Sequence, residues 1–265
     1  MGKNTEETMR ALSRIATAAV AASLSTVVTA TTVNAAEVVL MTTGAVEQIM
    51  RDLIPPFEGA TGHKVTMTVL GTGGAVAAIR EGKFADLILL GPDALNELAA
   101  AGKVDPATIK PAFNSRIGLA VRAGAKKPDI GTPQALKKTL LDAKSIGYSI
   151  GPSGEHFSKV IVEKLGVADA LRPKMTNVRG APVGVGVAKG EVEIGIHQIA
   201  ELMQVPGIDI VGDLPAELNK TIVYDTALTA MAKQPDAAKA LVNYLSLSAS
   251  EPIIRKNGME PAGGA

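Results

Sequence analysis

From Glu37 onward, short β-branched runs alternate with longer segments in which apolar residues recur at helical spacing. Such runs predict strands, and the 3.6-residue period predicts amphipathic helices beside them. The predicted strands are Val38–Met41, Lys64–Val69, Asp86–Leu90, Ile117–Val121, Ser145–Ser149, Met175–Val178, Glu193–His197, Asp209–Val211 and Ile222–Thr229. The predicted helices are Ala45–Glu58, Ala75–Glu81, Asp93–Ala101, Pro133–Ala143, His156–Leu165, Val183–Lys189, Gln198–Met203 and Asp236–Leu247. This alternation predicts an α/β fold with mixed, mostly parallel sheets, in one large domain or two smaller ones.

Residues 1–35 have the pattern of a secretory signal peptide. Arg10 and Arg14 precede the apolar run Ile15–Val33, and small residues ending at Ala35 offer a cleavage site. A membrane anchor is the alternative for such a run, but charged stop-transfer residues do not follow it. We therefore expect an exported, periplasmic protein whose signal is removed near that site.

Composition excludes several classes of function. Lys+Arg number 27 and Asp+Glu 26, so the net charge of +1 creates no field that attracts nucleic acid. Aromatic residues make up 3 % of the chain and Trp is absent, which leaves few side chains to stack on bases. Cys is absent, so disulfides, thiolate metal sites and cysteine nucleophiles are excluded. Any chemistry has to use hydroxyls, histidines, carboxylates, amines or the backbone.

Three strand-to-helix turns share one design, in which a strand is followed by glycine and hydroxyl residues and then by a helix. They are Thr42-Thr43-Gly44, Gly71-Thr72-Gly73-Gly74 and Gly151-Pro152-Ser153-Gly154, and Gly180-Ala181-Pro182-Val183-Gly184 opens a fourth helix in a similar way. Free N–H groups, hydroxyl donors and helix dipoles at the carboxyl edge of a sheet suit an anion. Glycine and threonine at such turns also serve ordinary capping. Neither a Walker loop nor a dinucleotide fingerprint is present, which disfavours nucleotides.

The three histidines have no metal-ligand spacing, so neither a metal nor a cofactor is expected. His156 lies in the first turn of a predicted helix, after Glu155, and a helix dipole alone accounts for an acidic residue there. His197 ends a predicted strand next to Gln198. At that place either side chain can reach a ligand or satisfy a hydrogen bond at the strand end.

Further stretches carry a family resemblance. These turns, with Phe84-Ala-Asp-Leu-Ile-Leu-Leu and Gly190-Glu-Val-Glu-Ile-Gly-Ile-His-Gln, resemble the molybdate-binding-protein-like branch of the periplasmic type II solute-binding proteins. The resemblance implies two Rossmann-like α/β lobes joined by a two-strand hinge, with an anion held between them by hydroxyls and backbone amides. We expect lobe 1 at 36–117 and 226–260, lobe 2 at 118–225, and a disordered tail at 261–265.

The resemblance also assigns binding residues by position. The family's serine turn, Gly-Ser-Gly turn, Pro-Ala-Gly turn and later amide donor fall in the four turns described above. Gln198 stands where the molybdate binders have a tyrosine, and three cationic residues are expected near the crevice, which favours a larger carboxylate over molybdate. The expected ligand-binding residues are Thr42, Thr43, Gly44, Thr72, Gly73, Ser153, Gly154, His156, Lys159, Arg179, Val183 and Gln198.

Two functions stay open on the sequence alone. The first is a monomeric, cofactor-free receptor that closes its lobes on a small anion, a carboxylate or an oxyanion, and delivers it to an ABC-transporter permease. The second follows from the similarity of this branch to aconitate isomerase, an enzyme that moves a double bond and a proton between trans- and cis-aconitate. Such a reaction needs a base active near neutral pH, and His156 and Glu155 are the candidates for it.

Overall fold

The computed structural model of the protein describes residues 35–179 and 181–262. The expected signal peptide lies outside these residues apart from Ala35, as do residues 263–265 of the expected tail. The first two tail residues are held in place, because Pro261 ends a strand and the N–H of Ala262 donates to the carbonyl oxygen of Ala112 at 3.2 Å. Within the described part of the chain, no helix is long and apolar enough to cross a membrane.

The strands of the described chain form two mixed sheets. The first sheet has the strand order β11-β4-β10-β3-β1-β2 and the second has the order β7-β6-β8-β5-β9. In chain order the strands are β1 (Glu37–Thr42), β2 (Lys64–Val69), β3 (Leu87–Leu90), β4 (Lys110–Ser115), β5 (Ile117–Arg122), β6 (Ile146–Tyr148), β7 (Met175–Asn177), β8 (Ile194–Gln198), β9 (Ile208–Asp213), β10 (Ile222–Leu228) and β11 (Met259–Pro261).

The predicted α/β fold with mixed sheets is confirmed. β1 pairs in parallel with β2 and β3, and β6 pairs in parallel with β7 and β8. The other five pairs of the described strands are antiparallel, so they outnumber the four parallel pairs and the expected predominance of parallel pairing is wrong. Antiparallel strands flank both connections between the sheets. β4 of the first sheet and β5 of the second flank one connection, and β9 of the second sheet and β10 of the first flank the other.

Helices occupy most of the connections between the strands. A π-helical turn at Phe157–Ile161 joins two short helices into the segment that the sequence predicts as one helix. The helices are α1 (Glu47–Thr61), α2 (Thr72–Arg80), α3 (Pro92–Ala100), α4 (Pro133–Asp142), α5 (Pro152–His156), α6 (Val162–Lys164), α7 (Ala168–Leu171), α8 (Val183–Lys189), α9 (Ile199–Leu202), α10 (Pro235–Leu245) and α11 (Glu251–Lys256).

The first sheet is buried on both faces. All four residues of β3 are buried, which is typical of an inner strand covered on both sides. Leu87 and Leu89 belong to a core that includes Phe57 of α1, whereas Ile88 and Leu90 belong to a second core with residues of α2 and α3. Since successive side chains of a strand point to opposite faces, this one strand holds helices on both sides of the sheet.

Two connections join the sheets. Between β4 and β5 only Arg116 intervenes. The other connection is the segment 214–221, because β10 pairs along its length with β3 and β4 of the first sheet. The chain therefore returns to the first sheet before Ile222 rather than at residue 226. β4 is not among the predicted strands, since its sequence Lys-Pro-Ala-Phe-Asn-Ser lacks β-branched residues and contains Pro111.

Arg116 and Asn219 fasten these connections. The Arg116 guanidinium contacts Asp213 Oδ2 at the end of β9 at 3.0 Å and Glu260 Oε1 on β11 at 2.7 Å. The side chain of Asn219 accepts from the Ile117 N–H at 3.0 Å and donates to the Ile117 carbonyl oxygen at 2.9 Å. Both connections are thereby tied to the start of β5.

Candidate functional site

A cavity of about 290 Å³ lies between the two sheets, at the carboxyl ends of parallel strands. β1 leads directly to Thr43, β6 to Ser149, and β8 ends at Gln198. Ligands of open α/β sheets bind at this edge. The described residues that line the cavity are Thr43, Gly44, Ala45, Gly71, Thr72, Ser149, Ile150, Gly151, Pro152, Ser153, Val178, Ala181, Pro182, Val183, His197, Gln198, Glu201 and Tyr224.

Buried hydroxyl groups form part of the cavity wall. Thr43 is 5 % exposed, and its Oγ1 has no hydrogen-bond partner among the described residues. Ser153 Oγ lies 3.0 Å from Ser149 Oγ, which also accepts from the Gly154 N–H at 3.2 Å. A buried hydroxyl without a partner costs about 1–3 kcal/mol. Thr43 therefore has a free hydrogen-bonding group for a ligand that enters the cavity.

Three helices begin at the cavity wall. Thr72 is the first residue of α2, Pro152 of α5 and Val183 of α8. The first N–H groups of a helix have no partner inside it, and they carry partial positive charge. Among the described residues that line the cavity, none is Lys or Arg. The cavity therefore offers neutral, dipolar donors to a negatively charged ligand.

Polar side chains connect the two sheets across the cavity. Tyr224 on β10 donates its hydroxyl to Gln198 Oε1 at 3.0 Å, and Gln198 Nε2 donates to Glu201 Oε2 at 2.8 Å. His197 Nε2 lies 3.2 Å from the same Glu201 oxygen. His197 Nδ1 is buried and has no hydrogen-bond partner in the described chain. We call these four residues the polar chain.

Burial sets the protonation of the polar chain. It raises the pKa of Glu201 to about 7 and lowers the pKa of His197 to about 4, because a poorly solvated site disfavours the charged form of either group. The pKa of Tyr224 is raised above its usual range by burial first and by the charge of Glu201 second. Near neutral pH, a neutral histidine therefore lies beside a carboxyl group that is partly protonated.

Six of the binding residues that the sequence predicts line the cavity, and the others lie elsewhere. Thr42 and Gly154 instead support the cavity from behind: Thr42 Oγ1 donates to the Leu89 carbonyl oxygen at 3.0 Å, and a Cβ on Gly154 would lie 1.7 Å from the Ser149 carbonyl oxygen. Gly73 lines a surface groove between α2 and α3. The predicted residues that do line the cavity are Thr43, Gly44, Thr72, Ser153, Val183 and Gln198.

The predicted cationic residues lie outside the cavity. His156 Nε2 is 2.8 Å from the Leu218 carbonyl oxygen, so this side chain ties α5 to the connection at 214–221. Lys159 and Glu155 are exposed and pair with each other at 3.6 Å, one helical turn apart. Arg179 is exposed. The expected cationic clamp and the expected His156–Glu155 acid–base pair therefore do not contact the cavity, because the helix directs these side chains elsewhere.

Three members of the polar chain are absent from the residues that the sequence predicts for the site. Glu201 follows Gln198 by three residues, a spacing that one helical turn brings together, and this is the signal that the sequence contains. His197 is adjacent to Gln198, but the sequence also allows it an ordinary strand-end role. Tyr224 comes from the other sheet, and only the tertiary fold brings it to Gln198.

The donor set does not resemble a metal centre. In residues 35–179 and 181–262, no group of three or more histidine, aspartate or glutamate side chains is placed to hold a metal ion. The polar chain contains one carboxylate and one imidazole, fewer than the three protein ligands of a typical catalytic zinc site.

Comparison with known proteins places this architecture in a family. The family of bacterial extracellular solute-binding proteins matches residues 38–260. The chain belongs to this family. The solute-binding protein is 33 % identical over 227 residues to the aconitate isomerase of a Pseudomonas species, covering 84 % of this chain and 87 % of the relative. It is 28 % identical over 233 residues to the molybdate-binding protein ModA of Azotobacter vinelandii, covering 85 % and 90 %.

Solved structures share the fold of this solute-binding protein. The periplasmic molybdate-binding protein of Azotobacter vinelandii matches with a TM-score of 0.68 at 20 % identity, over 85 % of this chain and 99 % of the other. The sulfate-binding protein SubI of Mycobacterium tuberculosis matches with a TM-score of 0.70 at 18 % identity, over 86 % and 88 %. These matches show the two-sheet fold, and the chemistry of the site has to be argued from its own residues.

Proposed function

We propose that this solute-binding protein captures a small organic carboxylate between its two sheets, in the periplasm, and delivers it to an ABC transporter. The observation that carries the proposal is the buried Thr43 hydroxyl, which has no partner in the described part of the chain and lies in a cavity where three helices begin. Neutral donors that are already desolvated bind anionic oxygens with little reorganisation. A volume of about 290 Å³ lies just below the range for small-molecule sites, roughly 300–1,000 Å³, which suits a small ligand.

Two features favour a carboxylate over molybdate. Gln198 stands where the resemblance places a tyrosine in the molybdate binders, and its amide is already engaged with Glu201 and Tyr224. The identity to the aconitate isomerase, 33 %, is also higher than the identity to ModA, 28 %, over a similar share of the chain. A relative that acts on a tricarboxylate supports a ligand of that chemical class.

Capture would proceed by closure of the two sheets around the ligand. Thr43 and Thr72 belong to the first sheet's side of the cavity, whereas Ser153 and Gln198 belong to the second sheet's side. A ligand that contacts both sides stabilises the closed arrangement by its differential affinity for that arrangement. The connections at Arg116 and 214–221 are the segments about which such a movement would occur.

A second candidate function is the isomerisation of aconitate, which the polar chain favours. An allylic shift removes a proton from one carbon, moves the double bond, and returns a proton to another carbon, without oxidation or reduction. His197 in its neutral form is a proton acceptor and the Glu201 carboxyl group is a proton donor. With 3.2 Å between them, the proton gained by His197 can return to Glu201 and restore the starting state.

Thermal denaturation with a panel of anions tests the proposal. The panel contains trans-aconitate, cis-aconitate, citrate, succinate, molybdate and sulfate, and each mixture is then examined by NMR. Ligand at a hundredfold excess over its Kd adds about 2.7 kcal/mol, which raises Tm by several degrees for a chain of this size. A carboxylate that raises Tm and stays unchanged supports the receptor. Molybdate or sulfate as the best stabiliser contradicts the carboxylate assignment.

The isomerase has its own readout in the same samples. Conversion of trans-aconitate to cis-aconitate, with loss of turnover but retained binding in His197→Asn, supports the second candidate function. The matched control is His156→Asn, whose ring binds the Leu218 carbonyl oxygen outside the cavity. Equal loss of turnover in both variants would contradict the assignment of the acid–base pair.

A further inference from the structure

Glu201 is a carboxyl group inside a site that we assign to an anion. Its side chain is 26 % exposed, and the residue lines the cavity. The two neighbours of its carboxyl group, Gln198 Nε2 at 2.8 Å and His197 Nε2 at 3.2 Å, both lie against Oε2. Oε1 has no hydrogen-bond partner among the described residues. One carboxyl oxygen is therefore held by the protein and the other is available to the ligand.

Among residues 35–179 and 181–262, no neighbouring cation compensates the charge of Glu201. α9 packs against β5, β8, β9 and the turn at Gly44–Val46, and that turn contains no titratable side chain. β8 contributes His197, whose pKa burial lowers to about 4, so this ring is neutral at physiological pH. From the first sheet, Tyr224 contributes a hydroxyl whose pKa lies above its usual range.

The charged residues of β5 and β9 are engaged elsewhere. Arg116, which precedes β5, directs its guanidinium to Asp213 and Glu260. Asp209 on β9 accepts from the Gly124 N–H at 2.8 Å. Arg122 is the last residue of β5 and pairs with Ile208 of β9. It lies five residues along β5 from Ile117, which pairs with Gln198. These groups do not offset a negative charge on Glu201.

An anion beside an ionised Glu201 would place two negative charges in a cavity whose described lining contains neither lysine nor arginine. At a separation of about 4 Å and an effective dielectric constant of about 20, such repulsion weakens binding by two to three orders of magnitude. Protonation of Glu201 removes the repulsion and gives the carboxyl group an O–H that can donate a hydrogen bond to the ligand. The geometry therefore couples the anion to a proton.

We propose that the cavity takes up its anion together with one proton, which resides on Glu201 in the bound complex. This inference rests on the proposed function of the cavity as an anion site. It extends that function, because it makes the affinity of the protein for its ligand depend on pH through a titratable group of the protein itself.

Isothermal titration calorimetry with trans-aconitate and with molybdate, between pH 6 and 9, tests the coupling. At pH 8, titrations in two buffers of different ionisation enthalpy count the protons, and we expect uptake of about one proton per anion. Kd should be constant near pH 6 and weaken by up to tenfold per pH unit above pH 8. Molybdate is fully ionised over this range and trans-aconitate is fully ionised above about pH 7.5, so a pH dependence that both anions share at higher pH belongs to the protein.

Glu201→Gln is the decisive variant. Its amide keeps a donor at the same place without a titratable proton, so binding should persist with no proton uptake and a flat pH profile. The control is Glu155→Gln, an exposed carboxylate outside the cavity, which should behave as the unaltered protein. Folding of each variant is checked by its thermal transition.

Each outcome is informative. Proton uptake that disappears in Glu201→Gln supports the inference. Anion binding without proton uptake, or uptake that Glu201→Gln retains, overturns the inference and leaves the proposed function standing. Failure of trans-aconitate, molybdate and the rest of the panel to bind at any pH overturns the proposed function and this inference with it.

Discussion

Two adjacent threonine residues, Thr42 and Thr43, differ in the hydrogen bonding of their hydroxyl groups. Thr42 is fully buried and donates to the Leu89 carbonyl oxygen of the neighbouring strand, whereas Thr43 lines the cavity and its hydroxyl has no partner within the described ranges. Both replacements by valine conserve the side-chain shape and remove a hydroxyl. The pair is therefore a matched test of which hydroxyl serves the ligand.

Thr43→Val should weaken binding of the best-stabilising anion by more than tenfold, because a desolvated donor is lost from the site. The free energy of unfolding should stay the same or rise by about 1 kcal/mol, since an unsatisfied buried group is removed. Thr42→Val should do the opposite, with affinity nearly unchanged and stability lower by about 1 kcal/mol. Calorimetric titration and urea denaturation measure the two quantities. Equal affinities of Thr43→Val and the unaltered protein would contradict the site.

Glu201 makes the stability of the unliganded protein depend on pH. Its pKa is raised from 4.5 to about 7 in the folded state, so its contribution is fully present below pH 4.5 and is lost as pH rises through 7. Glu201→Gln should therefore gain stability relative to the unaltered protein between pH 5 and 8, by on the order of 2 kcal/mol. Urea denaturation at each pH measures the difference.

Folded His197 stays neutral between pH 5 and 8, because burial lowers its pKa to about 4, so the difference in this window reports mainly on Glu201. Glu155→Gln serves as the control, because Glu155 is exposed at the surface of α5. Parallel stability profiles for Glu201→Gln and the unaltered protein would show that Glu201 is ionised without penalty in the folded state.

At the scale of elements, the start of α5 depends on a close approach between backbones. The Gly154 N–H donates to Ser149 Oγ, and a Cβ at Gly154 would lie 1.7 Å from the Ser149 carbonyl oxygen. α5 therefore packs directly against the loop after β6, and only a glycine at position 154 allows this close approach. This packing of α5 positions Ser153 at the cavity wall.

Gly154→Ala should lower the free energy of unfolding by about 3 kcal/mol, because the helix has to move away from the loop. Gly151→Ala, three residues earlier, has nothing within 4 Å of its Cβ and should change stability by less than about 1 kcal/mol. Thermal and urea denaturation of both variants measure the contrast. Similar stabilities of the two variants would contradict the close packing of Gly154 against the Ser149 carbonyl oxygen.

At the scale of the whole molecule, the second connection depends on Asn219. This side chain bonds both backbone groups of Ile117 and the Leu214 carbonyl oxygen, and Ile117 is fully buried. Asn219→Ala should lower the free energy of unfolding by about 2 kcal/mol, since it leaves buried backbone groups without partners. Asn96→Ala, at an exposed position of α3, is the control and should have little effect. Chemical denaturation distinguishes the two, and equal stabilities would show that the connection holds without this side chain.

Most elements and the turns around the cavity followed from the sequence, because both are local properties. A run such as Leu87–Leu90 or the apolar period of α1 reflects side-chain spacing within a few residues, and glycine and hydroxyl clusters mark the turns. β4 and β11 were not predicted, because their sequences have low strand propensity and the strands form through pairing with their neighbours.

Local residue patterns are enough to predict the α/β class, the turns that carry Thr43, Thr72 and Ser153, and the family resemblance. Which of these groups share one cavity depends on how the two sheets and their helices pack. The helical rotation of α5 sends His156 to Leu218, and the register of β10 brings Tyr224 to Gln198. Contacts between residues distant in the chain depend on how sheets and helices pack, and no local pattern of hydrophobic and polar positions encodes that packing.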